Sequence, residues 1–170
     1  MSDASHFETG WRSLDRSDLP GIVVSVLLVN LVGGAPAVLA GPDSAWFRAL
    51  AKPTIYPPSW LFGVVWTLLF TLLGIALYLV WRERGQSTTA RLALGLFVAQ
   101  MVVNVSWTLA FFGLESVELG LGVIALLWLL VVPMTVVFWR ISRVAAALVV
   151  PYLLWITFAA VLNYRFLVLN

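Results

Sequence analysis

Charged side chains are absent from five long stretches of this 170-residue chain, and this spacing constrains the fold more than any other feature of the sequence. The charge-free windows cover residues 19–42, 53–81, 92–114, 119–139 and 144–164. Each window is about 21 to 29 residues long, and a helix needs about 20 residues to cross the hydrocarbon core of a bilayer. Strands of a membrane barrel would instead alternate apolar and polar residues over about ten positions, and these windows do not alternate. The sequence therefore predicts an all-α integral membrane protein, a bundle of five transmembrane helices.

The amino-acid composition is also that of a protein surrounded by a lipid bilayer rather than by water. Hydrophobic residues make up 62% of the chain and charged residues 11%, whereas soluble domains average about 45–50% and 25%. Such hydrophobicity excludes a disordered chain, and the absence of cysteine excludes a disulfide scaffold and a thiolate metal site. A formal charge of +2 is too small for electrostatic binding of nucleic acid. The lipid bilayer is the expected partner, and nucleic acid is not.

The windows and their flanks divide the chain into a polar tail, residues 1–18, and one membrane domain, residues 19–170. We predict helices over about 19–40, 59–83, 90–113, 117–139 and 143–167, with a long first loop over about 41–58. Pro53, Pro57 and Pro58 delay the second helix until Ser59, a plausible N-cap. Acidic residues in the tail do not fit the positive region of a signal peptide, so the first window is predicted to be a retained span.

Basic residues are unequally divided between the two ends of the predicted bundle. One end holds Arg12, Arg16, Arg82, Arg84, Arg91, Arg140 and Arg143, and the other holds Arg48, Lys52 and Arg165 with Glu115 and Glu118. The positive-inside rule then predicts a cytoplasmic N-terminus and an outside C-terminus, in a plasma membrane. The first loop would lie outside, and as the longest and most proline-rich connection it is a candidate cover.

No ionisable residue lies well within any window, so the groups on which proton relays and ion-coupled pumps depend are missing. No internal repeat is evident, which disfavours a secondary transporter. The single histidine, His6, lies in the polar tail and reads as a surface residue. We therefore expect no metal site.

Polar but uncharged residues recur along three of the helices at steps of three and four, which places them on one face of each. The stripes are Gly63, Trp66, Thr67, Phe70 and Gly74 on the second helix, Gln100, Asn104, Trp107, Thr108 and Phe111 on the third, and Tyr152, Trp155, Ala159 and Asn163 on the fifth. Amides in hydrocarbon need partners, so these faces are predicted to point into the bundle. They serve either as hydrogen-bonding glue between helices or as the wall of a site.

The nine tryptophans separate by depth. Four of them, Trp46, Trp60, Trp81 and Trp139, fall at span ends, as in an aromatic belt. Trp66, Trp107 and Trp155 lie roughly 9 to 14 Å beneath the surface that carries the first loop, at 1.5 Å per residue. With Asn104 nearby they predict a pocket for a flat aromatic ligand, unless the indoles only fill space between helices.

These residues resemble the translocator protein family, also called TspO/MBR or tryptophan-rich sensory proteins. The similar positions run in order from about Trp46 to Asn163. The most specific of them are Pro57-Pro58-Ser59-Trp60 followed by Trp66, then Gln100, Asn104 and Trp107, then Pro151-Tyr152-Leu153, Trp155 and Leu162-Asn163. The resemblance implies a five-helix bundle, usually a homodimer, with a pocket under the first loop. Family members bind porphyrins there, and animal members also bind cholesterol and synthetic benzodiazepine-type ligands.

The resemblance implies that Trp66 and Trp155 are the tryptophans of the pocket. It also implies that Asn104 and Trp107 contact the ligand from the third helix. The complete set of predicted ligand-binding residues is Trp66, Phe70, Gln100, Asn104, Trp107, Tyr152, Trp155 and Ala159, under a lid formed by Trp46, Lys52, Pro53, Tyr56, Pro57 and Pro58. Two positions depart from the family. Ile55 replaces the usual lid tryptophan, and Arg165 follows Tyr164 directly, so a sterol is not an expected ligand.

Three functions follow as hypotheses. The first is a membrane protein that binds a tetrapyrrole, protoporphyrin IX or haem, as sensor, carrier or scavenger, with no resident cofactor. The second is an enzyme that degrades protoporphyrin in light; no nucleophile, base or metal stands in the membrane, so Trp66 and Trp155 would act photochemically. The third is a structural interaction protein that uses its glycines for packing.

Overall fold

The computed structural model describes residues 15–83 and 87–170, and this part of the chain is helical without strands. Its helices are α1 (Leu19–Gly34), α2 (Pro36–Leu39), α3 (Ala45–Ala49), α4 (Ser59–Trp81), α5 (Thr88–Thr108), α6 (Val117–Ile141) and α7 (Arg143–Leu169). Five segments are long and apolar enough to cross a membrane: Arg16–Leu39, Ser59–Trp81, Thr88–Gly113, Val117–Ile141 and Arg143–Leu169. The predicted all-α bundle of five membrane helices is confirmed. His6 and most of the predicted tail lie outside the described residues.

Serine N-caps fix where three of the long helices begin. The hydroxyl oxygens of Ser87, Ser116 and Ser142 accept hydrogen bonds from the backbone N–H groups three residues ahead, in the first turns of α5, α6 and α7. Each cap satisfies an N–H group that has no partner within its helix. The helix α4 begins at Ser59, where the prolines predict its start, but Ser59 is not the predicted N-cap: Pro58 holds that position, and no side chain caps the helix.

The first and third spans are not the uninterrupted α-helices that the sequence predicts. Pro36 has no N–H to continue the ladder, and the first span breaks there into α1 and α2. The third span ends in one π-helical turn, Leu109–Gly113, in which Leu114 donates to the carbonyl of Leu109 at 2.8 Å. Glu115 then takes a left-handed conformation with φ of 52°, which ends the span. The first loop also differs from the prediction, because it contains the short helix α3.

Glycines let α1 approach α4 closely. A Cβ atom on Gly74 would lie 2.6 Å from the Cα atom of Val26, and one on Gly33 would lie 2.4 Å from the ring of Phe70. At Gly74 the neighbouring atoms are backbone, so only a residue without a side chain fits, whereas a side chain at Gly33 would have to displace the ring of Phe70. The first span is therefore held against α4 even though most of its surface is apolar and exposed.

Two groups of buried apolar residues fill the bundle. The larger contains Leu73, Val131, Met134, Phe138 and Val149, all fully buried, together with Phe70 and Leu127. The smaller consists of Phe47 from the first loop and the residues it joins in the bundle, Phe111, Val117, Leu162 and Phe166. Members of both groups line one cavity, so the cavity lies where the groups meet.

Candidate functional site

The cavity has a volume of about 400 Å³, within the range of about 300–1,000 Å³ that is usual for small-molecule sites. Every long helix contributes to its wall. The residues lining it are Asn30, Gly33, Gly34, Ala37, Ala40, Gly41, Pro42, Phe47, Tyr56, Ser59, Phe62, Gly63, Trp66, Thr67, Phe70, Asn104, Trp107, Thr108, Phe111, Phe112, Ile124, Leu127, Trp155, Ala159, Leu162, Asn163 and Phe166. No charged residue is among these described lining residues, so the cavity favours a neutral, largely apolar ligand.

Three indoles from three different helices meet at this cavity. Trp66 of α4, Trp107 of α5 and Trp155 of α7 all line it. The ring of Trp107 is stacked on that of Phe111, with centroids 5.2 Å apart and planes at 18°. The ring of Trp66 lies edge-on to that of Tyr152 at 6.2 Å. The structure thus brings together the indoles that the depth argument placed at one level.

A chain of buried polar groups leads away from the cavity behind Asn104. The amide nitrogen of Asn104 donates to the hydroxyl of Tyr152 at 2.9 Å, and this hydroxyl donates to Gln100 Oε1 at 2.9 Å. Tyr152 and Gln100 are fully buried and do not line the cavity, although the sequence predicts ligand contacts for both. They instead support Asn104, which does line it. Phe70 and Ala159 line the cavity as well.

A second polar group fixes Trp107. Its indole N–H donates to Asn163 Oδ1 at 3.3 Å, and the amide nitrogen of Asn163 donates to the carbonyl of Val117 at 2.9 Å. Asn163 therefore ties α5, α6 and α7 together, as the glue interpretation expects. The Nε1 atom of Trp155 is different, because it is buried and has no hydrogen-bond partner among the described residues. Trp155 thus lines the cavity with its ring while its indole N–H stays buried without a partner among the described residues.

The first loop supplies Gly41, Pro42, Phe47 and Tyr56 to the cavity wall. Of the predicted lid residues, only Tyr56 lines the cavity; Trp46, Lys52, Pro53, Pro57 and Pro58 do not. Trp46 packs edge-on against Phe111, with centroids 5.6 Å apart.

Lys52 makes its contacts within the first loop and does not line the cavity. Its ammonium group donates to the carbonyls of Phe47 and Leu50 and lies 3.8 Å from the centroid of the Phe47 ring. Burial lowers the pKa of the Lys52 ammonium group below its ordinary value. Lys52 thus closes the end of α3 and steadies Phe47 in the cavity wall.

Asn30 is a polar wall residue that the stripes did not predict, as is Ser59 at the start of α4. Asn30 stands alone in the first span, with no polar neighbour at helical spacing to form a stripe. A single amide within an apolar window is the signal that could have identified it, because amides in hydrocarbon rarely lack a partner.

Residues 23–169 match the sequence profile of the TspO/MBR family. The chain belongs to the TspO/MBR family. It is 40% identical over 150 residues to the tryptophan-rich protein TspO of Chlorobaculum tepidum, which covers 88% of this chain and 95% of that relative. It is also 38% identical over 101 residues to the tryptophan-rich protein TspO of Archaeoglobus fulgidus, covering 59% of this chain and 65% of the relative.

The match extends to animals over a shorter segment. The human translocator protein is 40% identical over 74 residues, which is 43% of this chain and 44% of the human protein. The chain thus spans less than two thirds of the archaeal and human relatives and nearly all of the Chlorobaculum TspO. Membership of the TspO/MBR family agrees with the five membrane spans.

Proposed function

We propose that this membrane protein binds a porphyrin in the cavity beneath the first loop and acts as a sensor, carrier or scavenger of tetrapyrroles. The observation that carries the proposal is the meeting of Trp66, Trp107 and Trp155 at one uncharged cavity. Indole faces suit a flat aromatic ligand, and each stacking contact contributes about 0.5–1.5 kcal/mol beyond the burial of area. The family relationship supports the same ligand class.

A titration with protoporphyrin IX tests the proposal by quenching of tryptophan fluorescence. The double variant Trp66→Phe/Trp155→Phe keeps apolar aromatic rings but loses two indole faces. We expect it to bind about tenfold or more weakly than the unchanged protein, since two stacking contacts are lost. A matched control is Trp60→Phe/Trp139→Phe, because both of these indoles are exposed at span ends and away from the cavity. Equal affinity of the two double variants would refute the site.

Light-dependent breakdown of protoporphyrin is a second candidate, favoured by the same two indoles. Any porphyrin in this cavity would lie beside Trp66 and Trp155, and the described wall residues include no carboxylate, imidazole, amine or thiol for ordinary acid–base or covalent chemistry. Illumination of the protein with protoporphyrin tests this, with the Trp66→Phe/Trp155→Phe variant as control. A new product that needs both indoles supports the enzyme, and bleaching equal to that in plain detergent contradicts it.

We also propose that the first loop faces the outside of a plasma membrane and the N-terminus the cytoplasm. The support is the distribution of charge at the ends of the described spans. Arg82, Arg91, Arg140 and Arg143 lie at one end, while Arg48, Lys52 and Arg165 share the other with Glu115 and Glu118. Assembly into a homodimer stays a prediction.

A further inference from the structure

Asn30 is an amide side chain at the cavity wall whose nitrogen makes two hydrogen bonds while its oxygen makes none with the described residues. Its nitrogen Nδ2 donates to the carbonyl of Val26 at 2.9 Å and to Thr71 Oγ1 at 3.3 Å. The Val26 carbonyl can only accept, and the Thr71 hydroxyl has given its one proton to the carbonyl of Thr67 at 2.8 Å. Both neighbours of the amide therefore require its nitrogen, so its oxygen must point away from them.

The oxygen Oδ1 of Asn30 accepts no hydrogen bond from any described residue, nor is it among the buried atoms that lack a partner. Since Asn30 lines the cavity, this oxygen is the polar atom that it has available for a ligand. Gly33, one turn further along α1, packs against Phe70 and keeps this part of α1 beside the cavity wall. The cavity thus has a rigid hydrogen-bond acceptor on its first-span side.

We propose that Asn30 is a specificity-determining residue of the cavity, and that it selects flat ligands that carry an N–H or O–H donor on their rim. The inference rests on the porphyrin site proposed above and adds a chemical requirement to it. A carboxylate is not accepted at this place, because its oxygens would face the Asn30 oxygen without a proton between them. Thr71 does not line the cavity and acts as a positioning residue, since its hydroxyl helps to orient the amide.

Two porphyrins that differ only at the rim separate this role from general packing. Haematoporphyrin carries two hydroxyethyl groups where protoporphyrin IX carries vinyl groups, so only the first has hydroxyl donors on its rim. In Asn30→Leu, which has similar volume, we expect haematoporphyrin to bind about tenfold more weakly, because a buried hydroxyl loses its acceptor. Protoporphyrin IX should bind within about twofold of the unchanged protein, since it gives Asn30 no rim proton.

The ratio of the two affinities is the readout, because a defect in folding or packing would change both together. Thr71→Val should shift the ratio in the same direction by about threefold, as the loosened amide holds its oxygen less firmly. The matched control is Thr135→Val on α6, where the hydroxyl also donates to a backbone carbonyl, at 2.8 Å, but away from the cavity. We expect the control to leave the ratio unchanged. If Asn30→Leu does not fold, Thr71→Val against Thr135→Val decides the matter alone.

The outcomes also separate this inference from the proposed function. If the unchanged protein binds both porphyrins and Asn30→Leu leaves their ratio the same, the role of Asn30 is refuted and the porphyrin site stands. If the unchanged protein binds neither porphyrin, the proposed function fails and this inference fails with it. A selective loss of haematoporphyrin in Asn30→Leu supports both.

Discussion

At the scale of single residues, Tyr152 is the side chain that connects the buried polar groups behind the cavity wall. Its hydroxyl joins Asn104 to Gln100, and all three side chains are buried. Tyr152→Phe would leave the fully buried Gln100 without its partner and free the amide of Asn104 to rotate. We expect a loss of about 1–3 kcal/mol in the free energy of unfolding, the cost of buried polar groups without partners. Thermal and chemical denaturation in detergent measure this loss.

Tyr164→Phe is the matched control for that experiment, because Tyr164 is 55% exposed and lies on the same helix. We expect it to change the free energy of unfolding by less than about 0.5 kcal/mol. Equal stability of the two variants would show that the hydrogen bonds of Tyr152 do not stabilise the bundle.

Where polar residues formed a pattern, the sequence indicated which helix faces point into the bundle. Asn104 and the three pocket indoles repeat at helical spacing, and periodicity locates them on inward faces. Asn30 forms no pattern, and its place at the cavity depends on the glycine contacts between α1 and α4, which are tertiary. For the same reason, the sequence could not separate Tyr152 and Gln100, which lie behind the wall, from Asn104, which is part of it.

At the scale of helices, the contact between α1 and α4 depends on Gly74. A Cβ atom there would lie 2.6 Å from backbone atoms of Val26, which cannot move aside as a flexible side chain could. Gly74→Ala should therefore destabilise the protein by about 1–3 kcal/mol through overpacking, as measured by thermal denaturation. Gly95→Ala and Gly122→Ala are the controls, since nothing lies within 4 Å of a Cβ atom at either position. Equal stability of all three variants would contradict the close packing of α1 against α4 at Gly74.

The first loop is tied to the end of α7 by Asn170. The backbone N–H of Ala51 donates to Asn170 Oδ1 at 2.8 Å, and Asn170 Nδ2 donates to the carbonyl of Ala51 at 3.3 Å. Asn170→Ala removes both bonds, each worth about 1 kcal/mol. We expect faster amide hydrogen exchange in the loop around Ala51, measured by mass spectrometry. Leu169→Ala, at an exposed neighbouring position, should leave this exchange unchanged, and equal rates in the two variants would contradict the tie.

Helices of membrane length were predictable because hydropathy over about 20 residues decides whether a segment spans a bilayer. The interruptions within them were not. Pro36 marks the break in the first span only in hindsight, since Pro133 and Pro151 lie inside uninterrupted helices. The π-helical turn at Leu109–Gly113 contains Phe111, which packs among the buried residues Phe47, Val117, Leu162 and Phe166, and such contacts are not visible in the sequence. Ser44, which caps α3, was a local signal that the loop assignment passed over.

At the scale of the whole molecule, the uncharged cavity and the charged ends together constrain how a porphyrin can sit. Its carboxylates cannot be buried among wall residues that include no cation, so they must remain at the mouth of the cavity. Loop residues such as Phe47 and Tyr56 form part of the wall, which places the cavity at the end of the bundle that carries the first loop. The ligand carboxylates would then point toward the membrane face on that side.

Which side of the membrane this face occupies can be measured, because the chain contains no cysteine and any single cysteine introduced is a unique label. Thr54→Cys places one in the first loop, and Thr88→Cys places one at the start of α5, both at exposed positions. The positive-inside rule predicts that the arginine-rich end is cytoplasmic. A membrane-impermeant maleimide should therefore label Thr54→Cys in intact cells and Thr88→Cys only after permeabilisation. The reverse labelling pattern would show that the first loop and the cavity beneath it face the cytoplasm. A scavenger of tetrapyrroles made inside the cell would require that orientation.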